Sequence, residues 1–180
     1  MGRDKALLPY AGTTFLERLI RLFTAHVSPV VVVLGHNADR IAASLPPEDA
    51  ARVVLNPDYR RGQFSSLQTG LRALPADSAA LVTLVDHPAV AESTVLAILA
   101  HSTAPLVIPR HGERRGHPIL LSRRLIDELL ALPPDATAKQ VVHAHLPEAV
   151  LLDVADPGVL RDVDTPADYG LLSGDSASAV

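Results

Sequence analysis

Apolar positions along the chain follow two rhythms. Val30–Leu34 is a short run of β-branched and aliphatic residues with no polar alternation, and Arg52–Leu55, Ala79–Val85, Leu106–Pro109 and Ala149–Asp153 are similar. Such runs predict strands buried on both faces. Between them the spacing changes. In Thr14–Phe23 the residues Phe15, Leu16, Leu19, Ile20 and Phe23 recur every three or four positions, which predicts one apolar face of a helix. Thr14 followed by Glu17 matches a capping box at its start. Asp39–Leu45, Ser65–Leu74, Ser93–His101 and Arg123–Leu132 carry weaker versions of the pattern, and Pro46-Pro47 and Pro133-Pro134 stop two of these helices. Strand–helix alternation of this kind predicts an α/β fold: a three-layer, mostly parallel Rossmann-like sheet with helices on both faces. No internal repeat or interdomain linker is visible. The expectation is a single domain over residues 1–172, with the small, polar segment 173–180 as a disordered tail.

Composition narrows what such a domain does. With 180 residues and 48% hydrophobic content, the chain is long enough to build a core without metal or disulfide. Its longest apolar stretches are about five residues, far short of the ~20 of a membrane helix, and no charged-then-apolar secretory pattern opens it, so a cytoplasmic protein is expected. The absence of cysteine excludes disulfides, thiolate catalysis and cysteine-ligated metal. A net charge of −4 and the lack of tryptophan argue against a nucleic-acid surface. A small-molecule domain is what this leaves.

In open α/β sheets ligands gather at the carboxyl ends of strands, so the loops there are where chemistry is sought. Four are unusual. Met1-Gly2-Arg3-Asp4-Lys5 sets a glycine beside two cations, which suits a phosphate, although N-terminal Lys and Arg are usually only solvated. Asn56 through Leu67 places Gly62, Ser65 and Ser66 just ahead of a helix, either as an anion or nucleobase seat or as a plain helix cap. Leu84-Val85-Asp86-His87-Pro88 puts a carboxylate directly after a buried strand, the hard oxygen that Mg²⁺ prefers, or else a turn cap. Leu160 through Asp168 alternates Asp162 and Asp164, which in extended chain could meet one cation, while Thr165 and Asp168 match a second capping box. His143 and His145 fall in a predicted helix at a spacing that diverges, so both are expected at the surface. The chain contains no Walker A loop, no Gly-x-Gly-x-x-Gly and no Gly-x-Ser-x-Gly.

Together the four loops resemble those of the MobA-like nucleotidyltransferases, most closely the molybdopterin cytidylyltransferase branch. Met1-Gly2-Arg3-Asp4-Lys5 is similar to the end of that family's glycine-rich signature, and Asn56-Pro57 through Gly62-Gln63-Phe64-Ser65-Ser66-Leu67 resembles the branch's nucleotide-contacting loop. Asp86-His87-Pro88 resembles its Asp-x-Pro, Gly116-His117-Pro118 its Gly-His-Pro strand, and Asp162-Val163-Asp164-Thr165-Pro166 its closing Asp-Ile-Asp-Thr-Pro. The correspondence runs in order from residue 1 to about 170. It departs in two places: the family's first strand and most of its glycine-rich loop have no counterpart, and His87 stands where a small or amide residue is usual.

The resemblance implies Mg²⁺-dependent transfer of an NMP, CMP from CTP in this branch, onto a phosphate-bearing acceptor such as molybdopterin, with release of pyrophosphate. It implies catalytic roles for Lys5 and Asp86, metal ligation by Asp86 with Asp164 or Asp162, and nucleotide contacts from Gly2, Lys5, Asn56, Gly62, Ser65 and Ser66. The acceptor would be bordered by Gly116 and His117. A molybdoenzyme or its chaperone is the implied protein partner, with no role for nucleic acid or membrane. The missing first strand sets a further expectation, a native start about ten to fifteen residues earlier, one strand and its loop. Two other readings stand beside this one. One is a degenerate, non-catalytic nucleotide-binding or interaction domain. The other is a nucleotide-sugar glycosyltransferase of like architecture, which would want an Asp-x-Asp after a mid-chain strand.

Overall fold

The computed structural model describes residues 4–46, 51–133 and 135–177, with side chains through residue 172. A short antiparallel hairpin, β1 (Pro9–Tyr10) and β2 (Thr13–Thr14), leads into α1 (Phe15–Thr24). There follow β3 (Val30–Leu34), α2 (Ala38–Ala42), β4 (Ala51–Leu55), α3 (Gln63–Arg72), β5 (Ala80–Val82) and α4 (Glu92–Leu99). Next come β6 (Leu106–His111), β7 (Arg114–Arg115), β8 (Ile119–Leu121), α5 (Arg123–Ala131), α6 (Ala138–Ala144), β9 (Val150–Asp153) and α7 (Pro166–Ala177). The last helix continues to Ala177, into the stretch expected as a tail; residues 178–180 lie outside the described residues.

Local sequence explains the best-formed elements. Thr14 caps α1, its Oγ1 accepting from the Glu17 amide at 3.2 Å. The five residues of the apolar face, Phe15, Leu16, Leu19, Ile20 and Phe23, are all buried. Each contributes roughly 1.5–3 kcal/mol by leaving water, so packing rather than propensity holds this helix. Strand β3 occupies the whole predicted run because helices cover both its faces. Val32 and Leu34 pack with Leu16 and Ile20 of α1, while Val33 meets α3 where Gly70 leaves room for it. The same layering continues along β6, where Val107 packs with Ile98 of α4 and its neighbours Leu106 and Ile108 pack with Leu125, Ile126 and Leu129 of α5. Buried Gln68 ties α3 to α5 by donating to the carbonyls of Leu129 and Leu132 at 2.9 and 2.8 Å.

The three layers and the mostly parallel run of strands are as expected, with β8 and the short β7 as the antiparallel members. β3 pairs in parallel with β4, and β6 with β9, whereas β8 runs antiparallel between β5 and β6 and β7 runs antiparallel to β6. The reason is connection length. A parallel crossover needs a dozen or more residues, and only residues 112–118 separate β6 from β8, so the chain returns as a ribbon. Among the described residues β3 has no ladder partner except β4, and β5 none except β8. Two blocks of sheet therefore stand side by side without ladder hydrogen bonds between them among the described residues. No described helix is long and apolar enough to cross a membrane.

Candidate active site

Chemistry collects at the carboxyl end of β5. The strand ends at Val82, and the chain runs on through Thr83, Leu84 and Val85 to Asp86. The Val163 amide donates to the Asp86 carbonyl at 3.0 Å, which lashes this loop to the Asp162–Asp164 segment. Lys5 reaches the same point from the turn of 3-10 helix at Lys5–Leu7. Its Nζ donates to Asp86 Oδ2 at 3.4 Å and to Asp164 Oδ1. Burial opposes the ammonium charge, but the hydrogen bond to Asp164 and the charges of Asp86 and Asp164 together outweigh it, holding the Lys5 pKa above its ordinary value. Asp4, one residue earlier, accepts from Asn37 Nδ2 at 3.0 and 3.2 Å, just beyond the end of β3. Residues 4 and 5 thus span the carboxyl ends of both blocks of sheet.

Asp86 Oδ1 is buried and has no hydrogen-bond partner among the described residues; His87 Nε2 stands 3.9 Å away, beyond bonding reach. A desolvated carboxylate oxygen without a donor, close to a second carboxylate, suits a hard dication whose remaining positions are filled by phosphate oxygens and water. The donor set of Asp86 and Asp164 therefore fits Mg²⁺ or Mn²⁺. No group of three His, Asp or Glu able to hold a metal is gathered among the described residues. Asp162 is exposed and does not share the Lys5 ammonium, although its charge reaches His87. Thr165 and Asp168 form the expected capping box, with the Thr165 amide donating to Asp168 Oδ2 at 2.7 Å and the Asp168 amide to Thr165 Oγ1 at 3.2 Å.

Beside the carboxylates two imidazoles stack. The rings of His87 and His117 lie 5.0 Å apart between centroids, tilted by 49°. Burial pushes the pKa of both below the ordinary imidazole value: at His87 it overcomes the attraction of Asp86, Asp162 and Asp164, and at His117 it is reinforced by His87. Both rings are thus biased to the neutral form. Gly116 is required here by close approach. A Cβ on it would lie 2.1 Å from the Val159 carbonyl oxygen, to which the His117 amide donates at 3.0 Å.

The loop after β4 is braced internally. Asn56 Nδ2 donates to the hydroxyls of Ser65 and Ser66, both at 2.9 Å, while its Oδ1 accepts from the Asp58 amide at 3.0 Å. The Ser65 hydroxyl donates in turn to the Gly62 carbonyl at 2.8 Å. Asn56 and Ser65 are buried, so they shape the loop, and Ser66 is the hydroxyl that borders the cavity shared with Gly35 and Asp86. Gly62 precedes α3 with φ of 107°. Of the residues expected at the site, Lys5, Asp86 and Asp164 come together, with His117 alongside through His87, while Gly2 lies outside the described residues. The stacking role of His87 and the anchoring role of Asp4 were not visible in the sequence, since each depends on residues 30 or more positions away. His145 also differs from expectation. It is not a free surface group but sits between Glu128 and Glu148, with Nε2 2.7 Å from Glu128 Oε2.

Residues 1–150 match the MobA-like NTP transferase domain. The molybdenum cofactor cytidylyltransferase of Escherichia coli (strain K12) is 22% identical over 169 residues, covering 94% of this chain and 86% of the relative. The nicotine blue oxidoreductase of Paenarthrobacter nicotinovorans is 31% identical over 176 residues, covering 92% and 86%. Among solved structures, Rv0371c of Mycobacterium tuberculosis H37Rv, described as a complex with manganese, superposes with a TM-score of 0.80 at 29% identity, over 96% of this chain and 93% of that one. With a match over five-sixths of the sequence, the chain belongs to the MobA-like NTP transferase family, a nucleotidyltransferase by descent.

Proposed function

We propose that the protein transfers CMP from CTP to a phosphate-bearing acceptor of the molybdopterin type, with Mg²⁺ as the working cation and the cytoplasm as its compartment. The observation that carries this reading is the Lys5 ammonium shared between Asp86 and Asp164 at the carboxyl ends of the strands. An acceptor phosphate oxygen attacks the α-phosphorus, the bond from that phosphorus to the β-phosphate bridging oxygen breaks, and pyrophosphate leaves with the electron pair. No covalent enzyme intermediate is needed, so the chain contributes positioning and charge. A divalent cation, when bound, supplies charge neutralisation at the triphosphate, held by Asp86 and Asp164 with Asp162 nearby. Lys5 neutralises the same phosphates directly. Ser66 keeps a hydroxyl proton to give the nucleotide, while Asn56, Ser65 and Gly62 hold its loop in shape. The stacked, neutral His87 and His117 with Gly116 border the acceptor side, and Gly2 belongs with the phosphates.

Pyrophosphate release from CTP, GTP, ATP and UTP, with Mg²⁺ and molybdopterin, tests the reading; CTP is expected to lead, and no release with any of the four overturns it. The oxidoreductase name of the 31% identical relative supports a second reading, a redox enzyme on the same scaffold. NADH or NADPH raising the melting temperature where no NTP does would favour it.

A further inference from the structure

A lysine ammonium rides on a flexible four-carbon stem, so it is only as well placed as the backbone that carries it. For Lys5 that backbone is a single turn of 3-10 helix, Lys5–Leu7. The far side of the turn is fixed by packing, with Ala6 buried in a cluster with Leu16, Ile20 and Ile41, and Leu8 in one with Phe15 and Val163. Its near side is fixed through Asp4. Both oxygens of that carboxylate accept from one amide, Asn37 Nδ2, at 3.0 and 3.2 Å. The Asp4 side chain is only 14% exposed, and a carboxylate so placed needs a donor. Arg40 Nη1 stands 3.6 Å from Oδ2, but its side chain is largely in water, where such a pair contributes little.

Neither of the usual local reasons for an asparagine applies at residue 37. It lies three residues beyond β3 and opens α2, the Ile41 amide donating to its carbonyl at 3.0 Å, so its backbone is held between a strand and a helix. Asparagine in that place ordinarily turns its side-chain oxygen to an amide of the first turn, and Asn37 makes no such cap. Its φ of 53° is left-handed, a conformation that glycine adopts with less strain. What the side chain does make is the bond to Asp4, 33 positions earlier. We propose that Asn37 is a positioning residue for Lys5: through Asp4 it holds the start of the turn, so that the ammonium meets phosphate oxygens beside Asp86 and Asp164. This rests on the phosphate-neutralising role of Lys5 put forward above.

The chain has two lysines, Lys5 and Lys139. Lysine labelled with an NMR-active carbon isotope therefore gives one probe at the site and one exposed reference on α6. A held stem keeps its two Hε protons distinct, whereas a freely rotating one averages them. Three variants are compared with the parent. Asn37→Gly suits the left-handed backbone and deletes only the amide. Asn37→Asp sets two carboxylates against each other. The double variant Asp4→Asn with Asn37→Asp rebuilds the bond with donor and acceptor exchanged, since aspartate also tolerates this backbone. The Lys5 Hε pair, split in the parent, is expected to merge in both single variants and to split again in the double one, with Lys139 unmoved throughout. Affinity for CTP with Mg²⁺ should fall about tenfold in the single variants, as for one weakened bond to a charged group, and return in the double one. In a Lys5→Met background Asn37→Gly should cost no further affinity. A Lys5 pair already merged in the parent, or still split in Asn37→Gly, overturns the proposal. So does a double variant that behaves like the single ones, since Asn37 would then serve the fold alone. If the parent binds no nucleotide, the transfer reading falls, and the Lys5 resonances alone then carry the positioning or remove it.

Discussion

At the scale of single residues, the site depends on a few groups held by distant parts of the chain. Asp86→Asn keeps the side-chain size and removes the charge. Lys5 still pairs with Asp164, and both partners are partly exposed, where such pairs are worth about 0–1 kcal/mol. Melting should therefore change little, while transfer falls at least about a hundredfold, as for loss of several kcal/mol of transition-state stabilisation. Activity within threefold of the parent removes Asp86 from the site. His117→Ala should raise the KM for acceptor and leave nucleotide binding nearly unchanged; an equal loss of nucleotide affinity places the ring on the nucleotide side instead. His145 carries a different prediction. Hydrogen bonds to Glu128 and then to Glu148 raise its pKa in the fold above the ordinary value. The stabilisation is therefore complete below the unfolded value of about 6.5 and is lost as pH rises through the higher folded value. Comparing melting temperature against pH for the parent and His145→Gln checks this: the parent's advantage should shrink on going alkaline, and a constant difference contradicts it.

At the scale of elements, α1 and β3 were legible because one-dimensional pattern decides them. A capped 3.6-residue stripe and a continuous apolar run each admit one burial geometry. The loop at Gly116 shows the opposite. Nothing around Gly116-His117-Pro118 in the sequence tells that Val159, more than forty residues later, presses its carbonyl against Gly116. Gly116→Ala should destabilise the fold by about 1–3 kcal/mol, the usual cost of overpacking against an immovable neighbour, and should also lower acceptor use by moving His117. Unchanged chemical denaturation contradicts the close approach. The antiparallel course of β8 was missed for a related reason. Alternation counts strands and helices but does not register that residues 112–118 are too few for a crossover. Likewise β5 proved shorter than the run Ala79–Val85, because Thr83 to Val85 leave the ladder to carry Asp86 outward.

At the scale of the whole molecule, residues 4 and 5 join the carboxyl ends of the two blocks of sheet through Asn37 and Asp86. CTP with Mg²⁺ at a hundred times its Kd should add about 2.7 kcal/mol, a rise in melting temperature of roughly 5–10 °C for a chain of this size. Chelation of divalent metal should remove most of it, and a shift that survives chelation argues against a cation held by Asp86 and Asp164. The sequence by itself determined the layers, the helix positions and the residue types at the strand ends, because periodicity, capping and short-range spacing are local properties. It also marked Lys5, Asp86 and Asp164 as chemically suited to phosphate and metal. Only the tertiary structure decided that these three share one contact across 159 positions, that Asn56 and Ser65 turn inward to brace their loop, that His87 lies on His117, and that Asn37 holds Asp4. Each of these is a long-range pairing, fixed by where helices and connections place the strands, and no local pattern in the chain encodes which distant partner a side chain will meet.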